Sequence, residues 1–463
     1  MGQAVPPPLD VDRLIDDRRI RVIVCCGSGG VGKTTTAAAI GLRAAERGRH
    51  VVVLTVDPAR RLAQSMGLTS LDNTPRPVPF REEASAGETD QSANGSSGGS
   101  LHAMMLDMKR TFDEIVEAHA DPDRAAQILA NPFYQSLSSG FSGTQEYMAM
   151  EKLGQLRRAD EWDLIVVDTP PSRSALDFLD APQRLGRFLD GRLIRLLVVP
   201  AKVGGRAYLK VLNAGFGMVT GVLTKVLGAQ VLKDVQTFVS ALDTMFGGFR
   251  ERADYTYQLL RAPGTAFLVI AAPEPDALRE ASYFVERLAQ EGMPLAGLIL
   301  NRVHGSPAAR LSAARSLAAA ETLQAYDNGV LNHGMASHET LGQETLGHGT
   351  PDHVTPDHGT LDHGTPDLTA GRGTAGAGTA LDGSSERGEA DPGIADGGGA
   401  HALTVAALRL HAERMQLIAV ERRVAEHFTG AHPHVPIAEV PDQPDDVHDL
   451  AGLRAVGDSF HNG

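Results

Sequence analysis

The sequence predicts an α/β fold built on a doubly wound, mostly parallel sheet. Three apolar runs with the length of a buried strand, at 21–26, 50–56 and 162–167, alternate with longer segments of helical periodicity. Each run is followed directly by a glycine or an aspartate. Because ligands bind beyond the carboxyl ends of the strands in such sheets, these glycines and aspartates are the first candidates for a functional site.

The first of these strands leads into a glycine-rich loop. Residues 27–34 match the P-loop pattern GxxxxGK[ST], and a helix is expected over 35–47, ended by Gly48. In a P-loop the backbone N–H groups surround phosphate oxygens, the lysine brings positive charge to the phosphates, and the next hydroxyl binds Mg²⁺. The sequence therefore predicts nucleotide contacts from Gly27, Ser28, Gly29, Gly30, Val31, Gly32, Lys33, Thr34 and Thr35, with Lys33 also catalytic.

Two aspartates at the ends of the other strands are expected to face this loop. Asp57 follows the strand at 50–56, and Asp168 follows the strand at 162–167. Asp168 has the position of a Walker B carboxylate, so Thr34 and Asp168 are the predicted Mg²⁺ ligands. Asp57 is placed to orient or deprotonate the attacking water and is the second predicted catalytic residue. For each aspartate, a helix cap or a turn carboxylate is the alternative.

Three motifs together resemble those of the ArsA-like ATPases: the loop at 27–35, Thr55-Val-Asp-Pro-Ala59 and Asp168-Thr-Pro-Pro171. That family includes an arsenite-pump ATPase and an ATPase that delivers tail-anchored membrane proteins. The resemblance implies a P-loop of the deviant Walker A class, ATP and Mg²⁺ as cofactors, and a dimer that changes conformation with its nucleotide. It also implies adenine contacts from Asn301 and Pro441, although an asparagine after a strand is equally a turn former.

The loop departs from the family pattern at one position. The family carries a lysine where this chain has Ser28, and that lysine reaches the partner's nucleotide across the dimer. A hydroxyl cannot supply this charge, so the first hypothesis is a heterodimer with a paralogous ATPase that retains the lysine, with a homodimer as the alternative. The spelling from Cys25 to Gly30 is similar to that of the actinobacterial branch, often encoded beside a related ATPase. A second hypothesis is a nucleotide-binding regulatory or scaffolding subunit with weak turnover.

A greasy segment at 208–260 reads as helices and bears one apolar stripe. Polar interruptions weigh against a membrane span, which leaves a packed helical subdomain or a groove for a ligand. A groove for hydrophobic or lipid-like cargo is what the resemblance implies for helices at this place, with peripheral membrane association as a further expectation. The predicted groove residues are Leu212, Phe216, Val219, Leu223 and Val226.

The formal net charge of −14 is confined to two stretches. Residues 321–400 carry 13 acidic and two basic side chains, and residues 81–100 carry four acidic side chains and one basic. Both are poor in apolar residues and are predicted to be disordered; the longer one contains a degenerate five-residue histidine repeat, read as repeat expansion or as a transition-metal site. The rest of the chain is electroneutral without a basic run, so nucleic acid is not an expected partner.

The domain prediction follows from these segments. Residues 19–320 and 401–460 form the ATPase domain, 101–160 and 201–262 are helical insertions that form a subdomain, and 1–18 is a flexible N-terminus. No signal peptide is recognisable, and the two cysteines are adjacent, so a cytoplasmic protein without a cysteine-ligated zinc site is expected. Metalloid transport is not expected for the same reason.

Overall fold

In a computed structural model, the residues that can be described are 6–56, 61–80, 98–132, 134–135, 144–170, 251–336 and 397–460. They belong to two compact units, one formed by 1–309 with 414–463 and the other by 310–413. Residues 57–60 and 171–250 lie outside the described residues, and the predicted catalytic Asp57 and the predicted cargo groove lie there with them.

The first unit contains one eight-stranded sheet, which confirms the predicted α/β class. Its strand order is β3-β4-β2-β5-β1-β6-β7-β8, and every pair is parallel except β3 with β4. The strands are β1 Val22–Cys26, β2 His50–Thr55, β3 Arg76–Pro77, β4 Ser100–Met105, β5 Leu164–Asp168, β6 Thr265–Ala271, β7 Leu295–Val303 and β8 Ile437–Pro441.

Helices connect the parallel strands, as crossovers between parallel strands require. A further stretch, 251–261, is helical. The helices are α1 Val11–Asp16, α2 Lys33–Glu46, α3 Arg61–Ser65, α4 Met108–His119, α5 Pro122–Leu129, α6 Thr144–Ala159, α7 Pro275–Gln290, α8 Ala313–Ala336, α9 Gly397–Ala431 and α10 Leu450–Ser459. Among these described helices, none has both the length and the apolar character needed to cross a membrane.

The central strand β1 is buried along its whole length because it has a neighbour on each side, β5 and β6. Its two cysteines behave as strand residues, as predicted. Burial, followed by the nearby Asp168 carboxylate, raises the pKa of Cys25 well above its ordinary value, and burial raises the pKa of Cys26 to about 12. Both thiols are therefore protonated and serve as small apolar side chains.

The prediction of a flexible N-terminus at 1–18 was wrong for residues 6–18. Asp10 caps α1 by accepting a hydrogen bond from the backbone N–H of Arg13 at 2.8 Å, and Val11 and Ile15 are fully buried. The backbone N–H of Leu9 donates to the carbonyl of Ile437 at 2.9 Å, which joins the segment to β8. Burial of these apolar side chains offsets the entropy lost on ordering so short a segment.

Three predicted boundaries also change. The helical insertion predicted at 101–160 begins instead with β4, which pairs in parallel with β2 from Ser100 onward. Residues 321–336, predicted to be disordered, continue helix α8, and 397–400 begin helix α9. The start of α8 is rich in alanine, the best helix former, and this local preference outweighs the low apolar content on which the prediction rested.

The second unit contains α8 and the part of α9 that precedes Arg414. Two hydrogen bonds fix its internal arrangement: Arg409 donates to the side-chain oxygen of Gln324 at 2.5 Å, and His411 Nε2 lies 2.8 Å from the carbonyl oxygen of Leu311.

Candidate nucleotide site

The P-loop of the first unit ends in a glycine that no other residue could replace without strain. Gly32 has a φ of +90°, in the left-handed region, and a Cβ at this position would overlap the side-chain amide of Asn301. Gly32 is also the N-cap of α2, and because it has no side chain, α2 begins without a side-chain cap. The first N–H groups of this 14-residue helix are thus left for an anion, the arrangement that P-loops use to bind phosphate.

Lys33 lies folded over this loop. Its ammonium group donates to the carbonyl oxygen of Ser28 at 2.7 Å, and the residue is only 6% exposed. The contact holds the positive charge on the inner side of the loop, where it adds to the positive end of the α2 dipole. The loop therefore concentrates positive potential at one point without an acidic side chain in the first turn of the helix.

Two hydroxyls meet at one carboxylate beside the loop. Thr34 Oγ1 donates to Asp168 Oδ2 at 2.7 Å, and Thr55 Oγ1 donates to the same oxygen at 2.8 Å. Asp168 is the last residue of β5 and is fully buried, and the register of β2 on β5 places Thr55 beside it. The structure thus brings together Thr34 and Asp168, the two predicted metal ligands. Threonine and aspartate oxygens are the hard donors that Mg²⁺ prefers, so the site fits this ion.

The part played by Thr55 was missed from the sequence. Its position one residue from the end of an apolar run gave a signal, because Asp168 ends a similar run and parallel strands end at the same edge of a sheet. Two other residues named from the sequence stay untested: the side chain of Glu146 lies outside what the structure describes, as does Arg173.

A cavity of about 590 Å³ extends from the end of the P-loop to the segment that follows β8. This volume falls in the range of small-ligand pockets. Five of the predicted nucleotide-binding residues line it, namely Gly32, Thr34, Thr35, Asn301 and Pro441. The sequence did not predict the other lining residues, Gln64, Ser65, Arg302, Val456 and the segment 442–448. The remaining predicted residues, Gly27, Ser28, Gly29, Gly30, Val31 and Lys33, lie in the loop but do not line this cavity.

Asn301 lies between this cavity and the P-loop. Its side-chain nitrogen donates to the carbonyl oxygen of Val31 at 2.8 Å, and the residue is 8% exposed. The next residue, Arg302, has a left-handed φ of +61°, and the pairing of β7 with β8 shifts register there. The structure therefore gives Asn301 a contact that the sequence did not predict, a hydrogen bond to the P-loop backbone.

Comparison with known proteins identifies the family. The sequence profile described as "anion-transporting ATPase" matches residues 20–347. This chain belongs to the anion-transporting ATPase family.

Named relatives of this anion-transporting ATPase family member agree. The ATPase GET3 of Malassezia globosa is 30% identical over 189 residues, which cover 41% of this chain and 50% of that protein. The ATPase get3 of Schizosaccharomyces pombe is 22% identical over 298 residues, covering 64% of this chain and 78% of that protein. The ATPase ARSA2 of Chlamydomonas reinhardtii is 23% identical over 314 residues, covering 65% and 73%. The match thus spans only about half of the Malassezia globosa protein.

In this member of the anion-transporting ATPase family, Ser28 occupies the centre of the P-loop. Its carbonyl accepts the hydrogen bond of Lys33, while its buried Oγ makes no hydrogen bond to any part of the chain that the structure describes. Within those same described ranges, no group of three or more histidine, cysteine, aspartate or glutamate side chains is arranged to hold a metal ion. Thr34 and Asp168 are therefore the residues that a Mg²⁺ ion brought in with a nucleotide would meet.

Proposed function

We propose that this chain binds Mg²⁺-ATP in the P-loop and the adjoining cavity and hydrolyses it. The observation that carries this proposal is the convergence of Thr34 and Thr55 on Asp168 beside the uncapped start of α2. One side of the site offers positive charge and N–H donors for phosphate, and the other offers oxygen ligands for a cation. The cavity beyond Thr34 and Thr35 leaves room for the nucleoside.

The residues divide the work as follows. The α2 N–H groups and Lys33 bind the phosphates and orient the terminal one, which is most of what phosphoryl transfer asks of a protein. Thr34 and Asp168 would hold Mg²⁺, which neutralises negative charge on the phosphates when bound. Thr55 fixes the Asp168 carboxylate in a single orientation by its hydrogen bond. Asp57, two residues after Thr55, is proposed to orient the attacking water.

Hydrolysis is proposed to drive a conformational change in a dimer that handles hydrophobic or lipid-like cargo, which the groove at Leu212, Phe216, Val219, Leu223 and Val226 would bind. The contact between Thr55 and Asp168 supports this coupling. Thr55 leads into the segment with Asp57, and Asp168 leads into the segment from Thr169 onward. Because one carboxylate joins both strand ends, a change at the phosphate reaches both segments together.

Ser28 favours a second candidate for the chain by itself, a regulatory or scaffolding subunit that binds nucleotide with weak turnover. The absence of a cation at this position removes charge stabilisation from a partner's site in a homodimer. A heterodimer with a paralogue that keeps the lysine restores one complete site. The proposed working form is therefore the heterodimer.

The test is ATP binding and hydrolysis by the purified full chain, alone and mixed with the paralogous ATPase, with Mg²⁺ and with EDTA. Lys33→Ala should lower kcat by about 100-fold or more, the loss typical when one charge-stabilising donor is removed. Lys109→Ala is the matched control, since this exposed lysine pairs with Asp113 on α4. Absence of Mg²⁺-dependent ATP binding by the wild-type chain would overturn the proposal. Binding with negligible turnover in both preparations would favour the scaffolding subunit.

A further inference from the structure

A buried ion-pair cluster lies behind the wall of the cavity, away from the P-loop. His304 Nδ1 is 2.5 Å from Glu421 Oε1, and the backbone N–H of His304 donates to Glu421 Oε2 at 3.0 Å. On the other side of the ring, Nε2 is 3.7 Å from Asp442 Oδ2. The Glu421 side chain is only 9% exposed, so it is a built contact and not a chance surface pair.

The three residues come from three elements that border the cavity. His304 follows β7 and is three residues after Asn301; Asp442 follows β8 and lines the cavity; and Glu421 lies on α9. The backbone N–H of Asp442 also donates to the carbonyl of Val303 at 3.0 Å. His304 therefore lies between α9 and the segment that forms one wall of the cavity.

The hydrogen bonds settle which way the ring works. A carboxylate only accepts hydrogen bonds, so Glu421 places a proton on Nδ1 and leaves Nε2 turned toward Asp442. Two arginines are the other charged groups at this loop. Arg414 on α9 donates to the carbonyl of Gly305 at 2.7 Å, and Arg302 lines the cavity. Neither pairs with the His304 ring in the described contacts, so the ring is set by its two carboxylates.

We propose that His304 is a positioning residue for the nucleoside end of the bound nucleotide. Held by Glu421, the ring fixes Asp442 and the segment after β8 in the place where they close the cavity around base and ribose. The role rests on the proposed binding of ATP in this cavity. It assigns the β8 segment to nucleoside affinity and leaves phosphate binding to the P-loop.

The test compares two probes on the full chain, Mg²⁺-ATP and Mg²⁺-tripolyphosphate, which has the phosphates but no nucleoside. His304→Ala should weaken ATP binding about tenfold, the effect of losing a buried charged hydrogen bond, and leave tripolyphosphate binding unchanged. Glu421→Ala should do the same, while Glu421→Gln, whose amide oxygen still accepts a hydrogen bond, should recover most of the affinity. Adding Asp442→Ala to His304→Ala should cost less than about twofold more, because both act through one contact.

The control is His427→Ala, an exposed histidine on the same helix, which should bind both probes as wild type does. A wild-type chain that binds tripolyphosphate but gains nothing from the nucleoside of ATP would overturn this inference alone. A wild-type chain that binds neither probe would overturn the proposed function. Equal loss of both probes in His304→Ala would mean that the cluster only supports the fold. Should that variant not fold, Asp442→Ala, at a side chain 38% exposed, decides the question by the same two probes.

Discussion

The side-chain nitrogen of Asn301 donates a hydrogen bond to the carbonyl oxygen of Val31 at 2.8 Å, which joins the end of β7 to the middle of the P-loop. The contact is close enough that a Cβ at Gly32 would overlap the same amide. A loop of glycines has many accessible conformations, so a fixed donor at this point restricts it to the one that precedes α2. Asn301 therefore takes part in the shape of the phosphate site as well as lining the cavity.

The first prediction concerns this contact. Asn301→Ala should weaken Mg²⁺-ATP binding about tenfold, and Asn301→Asp should weaken it further, because a carboxylate facing the Val31 carbonyl is repelled. Both variants should also weaken Mg²⁺-tripolyphosphate, since the loop itself loosens, and isothermal titration calorimetry with both probes checks this. A loss confined to ATP would mean that Asn301 contacts adenine and that the hydrogen bond to Val31 is incidental.

The second prediction orders the two hydroxyls on Asp168. Thr34→Val should reduce ATP hydrolysis about 100-fold or more and raise the Mg²⁺ concentration required, because it removes a proposed ligand. Thr55→Val keeps both proposed ligands and loses only the hydrogen bond that orients the carboxylate, so a loss of about tenfold is expected. Hydrolysis measured across a Mg²⁺ titration separates the two. Equal losses, with the same Mg²⁺ dependence, would place Thr55 among the ligands or remove Thr34 from them.

The predicted and the missed parts of this site differ in how far apart their residues lie in sequence and in what fixes their pairing. The P-loop, the helix after it and Asp168 follow from local pattern, because apolar runs mark strands and parallel strands end at one edge. Thr55 belongs beside Asp168 only because β2 is the neighbour of β5, and an apolar run does not specify its neighbours. The pairing of His304 with Glu421 joins residues 117 positions apart and leaves no local signal.

The fold shows the same division. The strands at 21–26, 50–56 and 162–167 were placed to within two residues of β1, β2 and β5, since their apolar runs are long enough to be distinct. The ordered N-terminal segment was missed because α1 has only six residues, fewer than two helical turns, too few for a periodic pattern. Its order depends on burial against other elements, which a residue count along the chain does not reveal.

The third prediction concerns a buried arginine that sequence reasoning missed. Arg49 is 1% exposed, and its guanidinium donates to the carbonyl oxygens of Ile15 at 2.7 Å, Ile20 at 2.6 Å and Asp163 at 2.6 Å. Burial lowers its pKa to about 10, so it stays charged at neutral pH. Arg49→Met fits the volume but leaves three carbonyls without this donor, and the free energy of unfolding should fall by about 2–4 kcal/mol.

Urea unfolding measures this loss, with Arg47→Met as the matched control. Arg47 pairs with Asp16 at the surface, with 36% of its side chain exposed, so its replacement should cost less than about 1 kcal/mol. If the two variants lost the same stability, Arg49 would not be the residue that holds the N-terminal segment to the sheet.

The fourth prediction returns to Ser28. Ser28→Lys would place a cation where the P-loop offers only a hydroxyl, and a cation that reaches a partner's phosphates stabilises the charge that develops during transfer. ATP turnover by the chain alone should therefore rise about tenfold or more and increase with protein concentration as dimers form, which a steady-state assay over a dilution series measures. Ser28→Ala should leave turnover as it is, because the Ser28 Oγ makes no hydrogen bond to the described residues. A gain that did not depend on protein concentration would mean that the new lysine acts within its own subunit, and the heterodimer proposal would lose its chemical reason.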